Sequence, residues 1–230
     1  MTTSLQLTAA DGFSFPAYVA HPTSQPQGAV VVLQEIFGVN SHIRSIADGY
    51  AAQGYVAIAP ATFHRLQADV NLDYTQDDIA AGVALKAAAE ALPVPGVLQD
   101  VAAAVAHGAQ FGKVGVVGYC WGGLLTWRAA CTLDGIHAAV PYYGGGMTSA
   151  AEAARKPLCP VLAHFGDQDH SIPLDGALAF QKAHADDGVQ VHIYPAQHGF
   201  NCDQRGSFNQ AAADLARART LAFFAQYLGG

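Results

Sequence analysis

From residue 114 to residue 123 the chain reads VGVVGYCWGG. The stretch opens as a short valine-rich run, typical of a buried strand, and the residues from Trp121 onward have the apolar spacing of a helix. Between them lies G-x-C-x-G, which places Cys120 where a strand turns sharply into a helix. Gly118 and Gly122 leave room for the close crossing of the two elements. The stretch therefore predicts a strand–turn–helix unit with a cysteine at its apex.

Strand-like and helix-like segments alternate along the rest of the chain. The predicted strands cover residues 13–20, 28–33, 56–59, 114–117, 138–142, 161–165 and 189–194, and the predicted helices cover 43–53, 76–92, 97–111, 121–132, 175–187 and 207–228. This alternation predicts an α/β fold with a mostly parallel sheet of about eight strands and helices on both faces. We expect a single domain over residues 1–230, with 13–20 as an edge strand.

Composition and charge exclude several classes of protein. Hydrophobic residues make up 51% of the chain and charged residues 13%, which favours a compact globule over a disordered chain. The formal net charge is −7 with no basic cluster, so we expect no nucleic-acid partner. No run of 18 apolar residues and no signal-peptide pattern occur, so the sequence predicts no contact with a membrane.

The four cysteines form no CxxC pair, and the ten histidines show no HExxH spacing. We therefore expect reduced thiols, a cytoplasmic location, and neither a metal ion nor another cofactor.

Polar residues follow two of the later predicted strands. Asp167 and Asp169 come after the strand 161–165, and His198 comes after the strand 189–194. Because ligands bind at the carboxyl ends of parallel strands, these side chains and Cys120 are expected to meet there. The chain order is nucleophile, acid, histidine, so His198 would transfer protons and an aspartate would fix its tautomer. We favour Asp169, because Asp167 lies closer to its strand and could cap the loop instead.

The alternative to a catalytic role for Cys120 is a structural one, in which the side chain packs as a small buried hydrophobic group, as most free cysteines do. The strand–turn–helix context favours the nucleophile. His198 could likewise be an ordinary loop histidine. The cysteines without that context are predicted to be structural; they are Cys131, Cys159 and Cys202.

Five segments together resemble the dienelactone hydrolase (carboxymethylenebutenolidase) family. They are QEIFG at 34–38, GYCWGG at 118–123, YYG at 142–144, GDQD at 166–169 and HGF at 198–200. The resemblance extends from about residue 12 to residue 228. It implies an α/β-hydrolase fold without a lid domain and a catalytic triad of Cys120, His198 and Asp169.

The resemblance also implies a role for Glu35, since the family's glutamate is thought to pair with the thiol and take its proton when substrate arrives. From the residues alone, Glu35 is either a site residue or a solvated loop charge. Its loop follows a buried strand, where hydrolases of this fold place one oxyanion donor. We therefore expect the backbone N–H groups of Ile36 and Trp121 to form an oxyanion hole.

The sequence departs from the family where two arginines of the best-studied members grip an acidic substrate. The position four residues after the histidine holds Cys202, and a gapless comparison from Asp100 puts Gly82 at the other position and Lys86 at that of a pocket tyrosine. Arg205 and Lys86 could substitute. The aromatic side chains expected to line the site are Phe37, Phe63, Tyr142, Tyr143 and Phe200, and of these Phe37, Tyr142 and Phe200 are expected to contact substrate. Core packing explains each of these aromatics about equally well.

The sequence thus predicts a cysteine-dependent hydrolase of small esters or lactones that works through a thioester acyl-enzyme. We expect it to be a monomer whose partner is its small-molecule substrate. Two alternatives use the same fold: a thiol acyltransferase with the same site, and a non-catalytic binding protein.

Overall fold

The structure is a computed structural model that describes residues 2–229. The strands are β1 (Thr2–Thr8), β2 (Ser14–Ala20), β3 (Ala29–Leu33), β4 (Val56–Pro60), β5 (Val114–Tyr119), β6 (Ile136–Tyr142), β7 (Val161–Gly166) and β8 (Val189–Tyr194). The helices are α1 (Ser41–Ala51), α2 (Gln76–Glu90), α3 (Leu98–Gly108), α4 (Trp121–Thr132), α5 (Ala150–Ala153), α6 (Leu174–Ala183) and α7 (Gln210–Leu228), with a 3-10 turn at Ala109–Phe111.

The eight strands form one sheet in the order β1-β2-β4-β3-β5-β6-β7-β8. From β4 to β8 every neighbouring pair is parallel, whereas β1, β2 and β4 pair antiparallel. The predicted α/β fold with a mostly parallel sheet of about eight strands is therefore confirmed.

The predicted strand at residues 13–20 is present as β2, but its predicted edge position is wrong. β1 covers β2 along its whole length, from the pair Thr2–Ala20 to the pair Thr8–Ser14, and takes the edge position. β1 was not predicted, because Leu7 alone among its seven residues is buried and its sequence therefore shows almost no apolar alternation. The four-residue helix α5 was also not predicted.

Helices cover both faces of the sheet. Tyr50 of α1 and Phe224 of α7 meet on one face, with ring centroids 5.9 Å apart, while α3 and α4 contact each other on the opposite face. Every residue of the central strands β3, β4 and β5 is consequently buried. This double burial explains the continuous valine-rich runs of the sequence. Over residues 2–229, no helix combines the length and the apolar character needed to cross a membrane.

Candidate active site

Cys120 lies at the turn between β5 and α4 with φ 55° and ψ −115°. This is a left-handed conformation that residues with a Cβ rarely adopt, and such strain costs about 1–3 kcal/mol and is typical of functional sites. The turn leaves the thiol half-buried at the carboxyl end of the parallel strands. The predicted strand–turn–helix unit is present, and α4 begins at Trp121 as expected.

Close backbone contacts explain the glycines around Cys120. A Cβ on Gly118 would overlap the carbonyl oxygen of Gly122, and a Cβ on Gly122 would lie 2.5 Å from the carbonyl oxygen of Leu33. A Cβ on Gly123 would lie 2.6 Å from the carbonyl oxygen of Tyr142. Only glycine at these positions lets α4 start directly against the ends of β3 and β6.

The structure brings Cys120, His198 and Asp169 together. The Nε2 atom of His198 lies 3.0 Å from the Sγ of Cys120, and its Nδ1 atom lies 2.7 Å from Oδ2 of Asp169. These distances suit a nucleophile, a base and a residue that orients the base. The three residues come from the ends of β5, β8 and β7 respectively, which is the convergence expected of a parallel sheet.

Asp169 is held by its own loop. Its Oδ1 accepts hydrogen bonds from the backbone N–H groups of Ser171 at 2.8 Å and Ile172 at 3.1 Å, which leaves Oδ2 for His198. The residue is only 4% exposed, whereas Asp167 is exposed. Geometry therefore favours Asp169 over Asp167 as the partner of the histidine.

Tyr143, one of the aromatic residues expected to line the site, packs against His198. The two rings meet edge to face with centroids 5.2 Å apart, and the Tyr143 backbone has φ 35°. Its backbone N–H donates to the carbonyl of His164 at 2.7 Å. Tyr143 thus restricts the plane of the His198 ring; its place in the YYG segment was the only signal in the sequence.

Burial alone would lower the pKa of His198, because the interior disfavours the charged ring. The negative charge on Cys120 and the hydrogen bond with Asp169 outweigh burial and raise the pKa to about 10. A raised histidine pKa extends the protonated form to higher pH. We therefore expect the His198 ring to be protonated at neutral pH.

We expect histidine-selective ¹⁵N NMR to show His198 doubly protonated at pH 8, where an unperturbed histidine is mostly neutral. Cys120→Ala should move this titration to lower pH, because it removes the negative neighbour. A His198 ring that is already neutral at pH 7 in the unmodified chain would contradict this charge state.

The loop after β3 carries Glu35 and Ile36 to the same end of the sheet. Within residues 2–229, neither the backbone N–H of Ile36 nor that of Trp121 donates a hydrogen bond to another protein group. Trp121 is fixed by stacking on Phe63, with centroids 4.7 Å apart, and by donation from its Nε1 to Glu90 at 2.8 Å. Two free N–H groups at this end of the sheet, one of them at a helix start, suit a developing oxyanion.

Gly82 of α2 packs directly on this loop. A Cβ on Gly82 would overlap the carbonyl oxygen of Ile36, so no larger side chain fits there without moving the helix or the loop. The local packing thus explains why this position holds glycine and not the arginine of the best-studied family members. Lys86, one turn further along α2, is half-buried and makes no hydrogen bond or ion pair with a site residue in the described part of the chain.

Glu35 is 1% exposed, so the structure excludes a solvated loop charge. Its Oε1 accepts a hydrogen bond from Nη1 of Arg205 at 3.2 Å. Arg205 in turn packs on the backbone beside His198, since a Cβ on Gly199 would lie 2.5 Å from its Nη1. The contact between Glu35 and Arg205 was not foreseen, because the two residues are far apart in the chain and share no motif.

The three aromatic residues proposed to contact substrate are almost fully buried. Phe37 meets Tyr74 edge to face with centroids 4.6 Å apart, and its ring lies 5.8 Å from the guanidinium of Arg205. Tyr142 bonds its hydroxyl to Thr220 of α7 at 2.7 Å, and Phe200 packs against Tyr143. Tyr142 and Phe200 thus belong to the packed layer beneath His198, while Phe37 lies beside Arg205.

The parallel sheet, the strained cysteine turn and the three side chains at the strand ends define the class of protein as an enzyme of the α/β-hydrolase fold. The chain belongs to the dienelactone hydrolase family, whose model matches residues 15–228. It is accordingly a hydrolase of the carboxylic-ester class.

Individual relatives agree with this assignment. The carboxymethylenebutenolidase of Pseudomonas putida is 33% identical over 231 residues, which cover 98% of this chain and 97% of that protein. A Synechocystis protein assigned as a carboxymethylenebutenolidase is 36% identical over 86% of each chain. A crystal structure from Klebsiella pneumoniae, assigned as a dienelactone hydrolase, shares 32% identity and a TM-score of 0.81, covering 99% of this chain and all of that one.

Proposed function

We propose that this chain hydrolyses small carboxylic esters or lactones through a thioester on Cys120, with His198 as the acid and base and Asp169 as the residue that orients it. The observation that carries the proposal is the bridging position of the His198 ring, with Cys120 at 3.0 Å on one side and Asp169 at 2.7 Å on the other. A histidine held in this way can serve both halves of an acyl transfer.

In the first half, the sulfur of Cys120 attacks the carbonyl carbon of the ester. The carbonyl oxygen becomes an oxyanion, which the N–H groups of Ile36 and Trp121 stabilise. When the tetrahedral intermediate collapses, the carbon–oxygen bond to the alcohol breaks and His198 gives its proton to the leaving oxygen. The products are a thioester on Cys120 and a free alcohol; in a lactone the alcohol stays attached to the acyl group.

In the second half, His198 is neutral and takes a proton from a water molecule, whose oxygen attacks the thioester carbon. The oxyanion forms again in the same position. Collapse breaks the carbon–sulfur bond, releases the carboxylic acid and restores the sulfur beside the imidazolium. Glu35, whose Oε1 is engaged by Arg205, keeps a carboxylate close to this exchange and balances the charge of that arginine.

The test is a panel of small neutral esters and lactones, assayed before and after treatment with one equivalent of iodoacetamide. We expect turnover, loss of activity in proportion to alkylation, and the label on Cys120 in a peptide map. Cys159→Ser is the matched control, since burial raises the pKa of Cys159 to about 12 and makes it a poor nucleophile. Labelling elsewhere with activity retained would overturn the proposal.

The same panel separates hydrolysis from acyl transfer. Adding an alcohol or a thiol acceptor should leave the carboxylic acid as the main product. A predominant transfer product would make the chain an acyltransferase that uses the same site.

Substrate charge gives a further prediction. Arg205 packs against the backbone next to His198, but Glu35 at 3.2 Å neutralises it, and Gly82 and Cys202 offer no charged group. Hydrogen bonds to charged groups contribute about 1.5–3 kcal/mol each, so the loss of two anchors lowers selectivity for an anion by ~10² or more. We expect neutral small esters and lactones to be turned over at least as well as a carboxylate-bearing lactone.

The measurement is kcat/KM for both substrate classes at low salt, with Arg205→Ala as the comparison variant. A strong preference for the anionic lactone that disappears in Arg205→Ala would contradict the prediction and assign the anion anchor to Arg205.

A further inference from the structure

A buried cluster of three electron-pair donors lies beside the proposed catalytic site. Glu35 follows β3, His42 lies in the first turn of α1, and Cys202 lies in the loop after β8. One ligand atom from each residue lies within 4.8 Å of the other two. The residues are 1%, 2% and 0% exposed, so their polar atoms are shielded from water.

Two of these polar atoms have no partner. Among residues 2–229, neither Oε2 of Glu35 nor Nε2 of His42 forms a hydrogen bond. A buried polar atom left unpaired costs about 1–3 kcal/mol, and more if it is charged. If His42 is neutral with its proton on Nδ1, its Nε2 and the Glu35 oxygen both carry lone pairs and cannot bond to each other, whereas a bound cation would satisfy both.

The polar atoms of His42 and Glu35 that face away from the cluster already have the hydrogen-bond partners that metal ligands usually have. Nδ1 of His42 lies 3.2 Å from Oδ1 of Asp203, and Oε1 of Glu35 accepts from Arg205 at 3.2 Å. A metal-binding histidine commonly donates its second ring N–H to a carboxylate, and ligating carboxylates are commonly hydrogen-bonded as well. The contact with Asp203 places the proton on Nδ1 and leaves the lone pair of Nε2 free.

We propose that Glu35, His42 and Cys202 form a binding site for a divalent cation of the zinc type. Thiolate, imidazole and carboxylate are the three side-chain ligands that zinc uses, and three protein ligands leave a fourth position for water. Zinc–ligand bonds of about 2.0–2.3 Å place tetrahedral ligand atoms roughly 3.5 Å apart. The ligand atoms, now within 4.8 Å of one another, would have to move closer together on binding.

The charges at the site also fit this ion. On binding, the S–H bond of Cys202 breaks, a sulfur–metal bond forms and the proton leaves to solvent. The thiolate and Glu35 then cancel the two positive charges of the cation, while Arg205 stays on Oε1 of Glu35. The Asp203 side chain is 65% exposed and provides a carboxylate on the route from solvent to His42.

The site was not expected from the sequence, because positions 35, 42 and 202 have no metal-ligand spacing. If the proposed function is correct, a bound cation should lower ester turnover, because it would hold Oε2 of Glu35 in the loop that also carries the proposed oxyanion donor Ile36. Binding itself does not depend on that role, so the test below does not use turnover.

The test is a cobalt(II) titration of the metal-free full-length chain, followed by displacement with zinc. We expect one equivalent to bind with a thiolate-to-cobalt charge-transfer band in both the unmodified chain and Cys120→Ser. Cys202→Ser should lose the band, and His42→Gln should weaken binding by ~10-fold or more. Cys120→Ser is the matched control, since it removes the other thiol that lies beside a histidine.

X-ray absorption of the cobalt-loaded unmodified chain provides a measurement that does not depend on whether the variants fold. We expect one sulfur ligand together with nitrogen and oxygen ligands, unchanged in Cys120→Ser. A charge-transfer band that persists in Cys202→Ser, a band lost in Cys120→Ser, or a coordination shell without sulfur would each overturn the proposal.

Discussion

Cys120→Ala is expected to lower kcat for a small ester by at least ~10⁴-fold, because removal of a triad nucleophile leaves only the catalysis of the oxyanion hole and of binding. Alanine keeps the Cβ that Cys120 already carries at φ 55°, so the turn should form as before. Thermal unfolding should therefore change little. The measurement is steady-state turnover combined with near-UV circular dichroism.

Cys131→Ala on the same helix is the matched control, since Cys131 is also half-buried but lies away from the strand ends. It should retain full activity. Cys120→Ser should stay weakly active at best, because a hydroxyl requires a stronger base than a thiol does. Full turnover in Cys120→Ala would show that another group is the nucleophile.

Asp169→Asn is expected to lower kcat by at least ~10², since the equivalent change in serine triads costs ~10⁴. The N–H groups of Ser171 and Ile172 would keep the amide oxygen where Oδ1 now lies. The amide NH₂ would then point at Nδ1 of His198 and force that nitrogen to accept. The ring proton would move to Nε2, facing the sulfur, where the histidine cannot act as a base.

Asp167→Asn is the control for this prediction, because Asp167 is exposed and its backbone N–H donates to the carbonyl of Tyr194 whatever its side chain. We expect less than about a threefold change in kcat, measured under identical conditions. A larger loss in Asp167→Asn than in Asp169→Asn would assign the orienting role to Asp167 and contradict the account.

Much of the fold was predictable because the sheet is buried on both faces. Continuous apolar runs located the central strands β3, β4 and β5, and the glycines located the turn at Cys120, since both follow from local sequence and close packing. β1 was not predictable, because its position depends on hydrogen bonds with β2 and not on an apolar pattern.

The candidate site was predictable to the extent that its residues directly follow strands. Cys120, Asp169 and His198 do so, and parallel strands bring their ends together. Contacts made by loops were not predictable: Arg205 reaches Glu35 only because the loop after β8 folds back over the loop after β3. Such contacts depend on the tertiary course of both loops, which no spacing in the sequence records.

The most direct test of the central claim is to capture the thioester. Enzyme mixed with an excess of a small ester, quenched in acid within one turnover and examined by mass spectrometry should gain the mass of one acyl group, and the peptide that contains Cys120 should carry it. The adduct should be released by neutral hydroxylamine and be absent in Cys120→Ala. An active enzyme whose acyl group is found on another residue, or whose adduct persists in Cys120→Ala, would contradict the account.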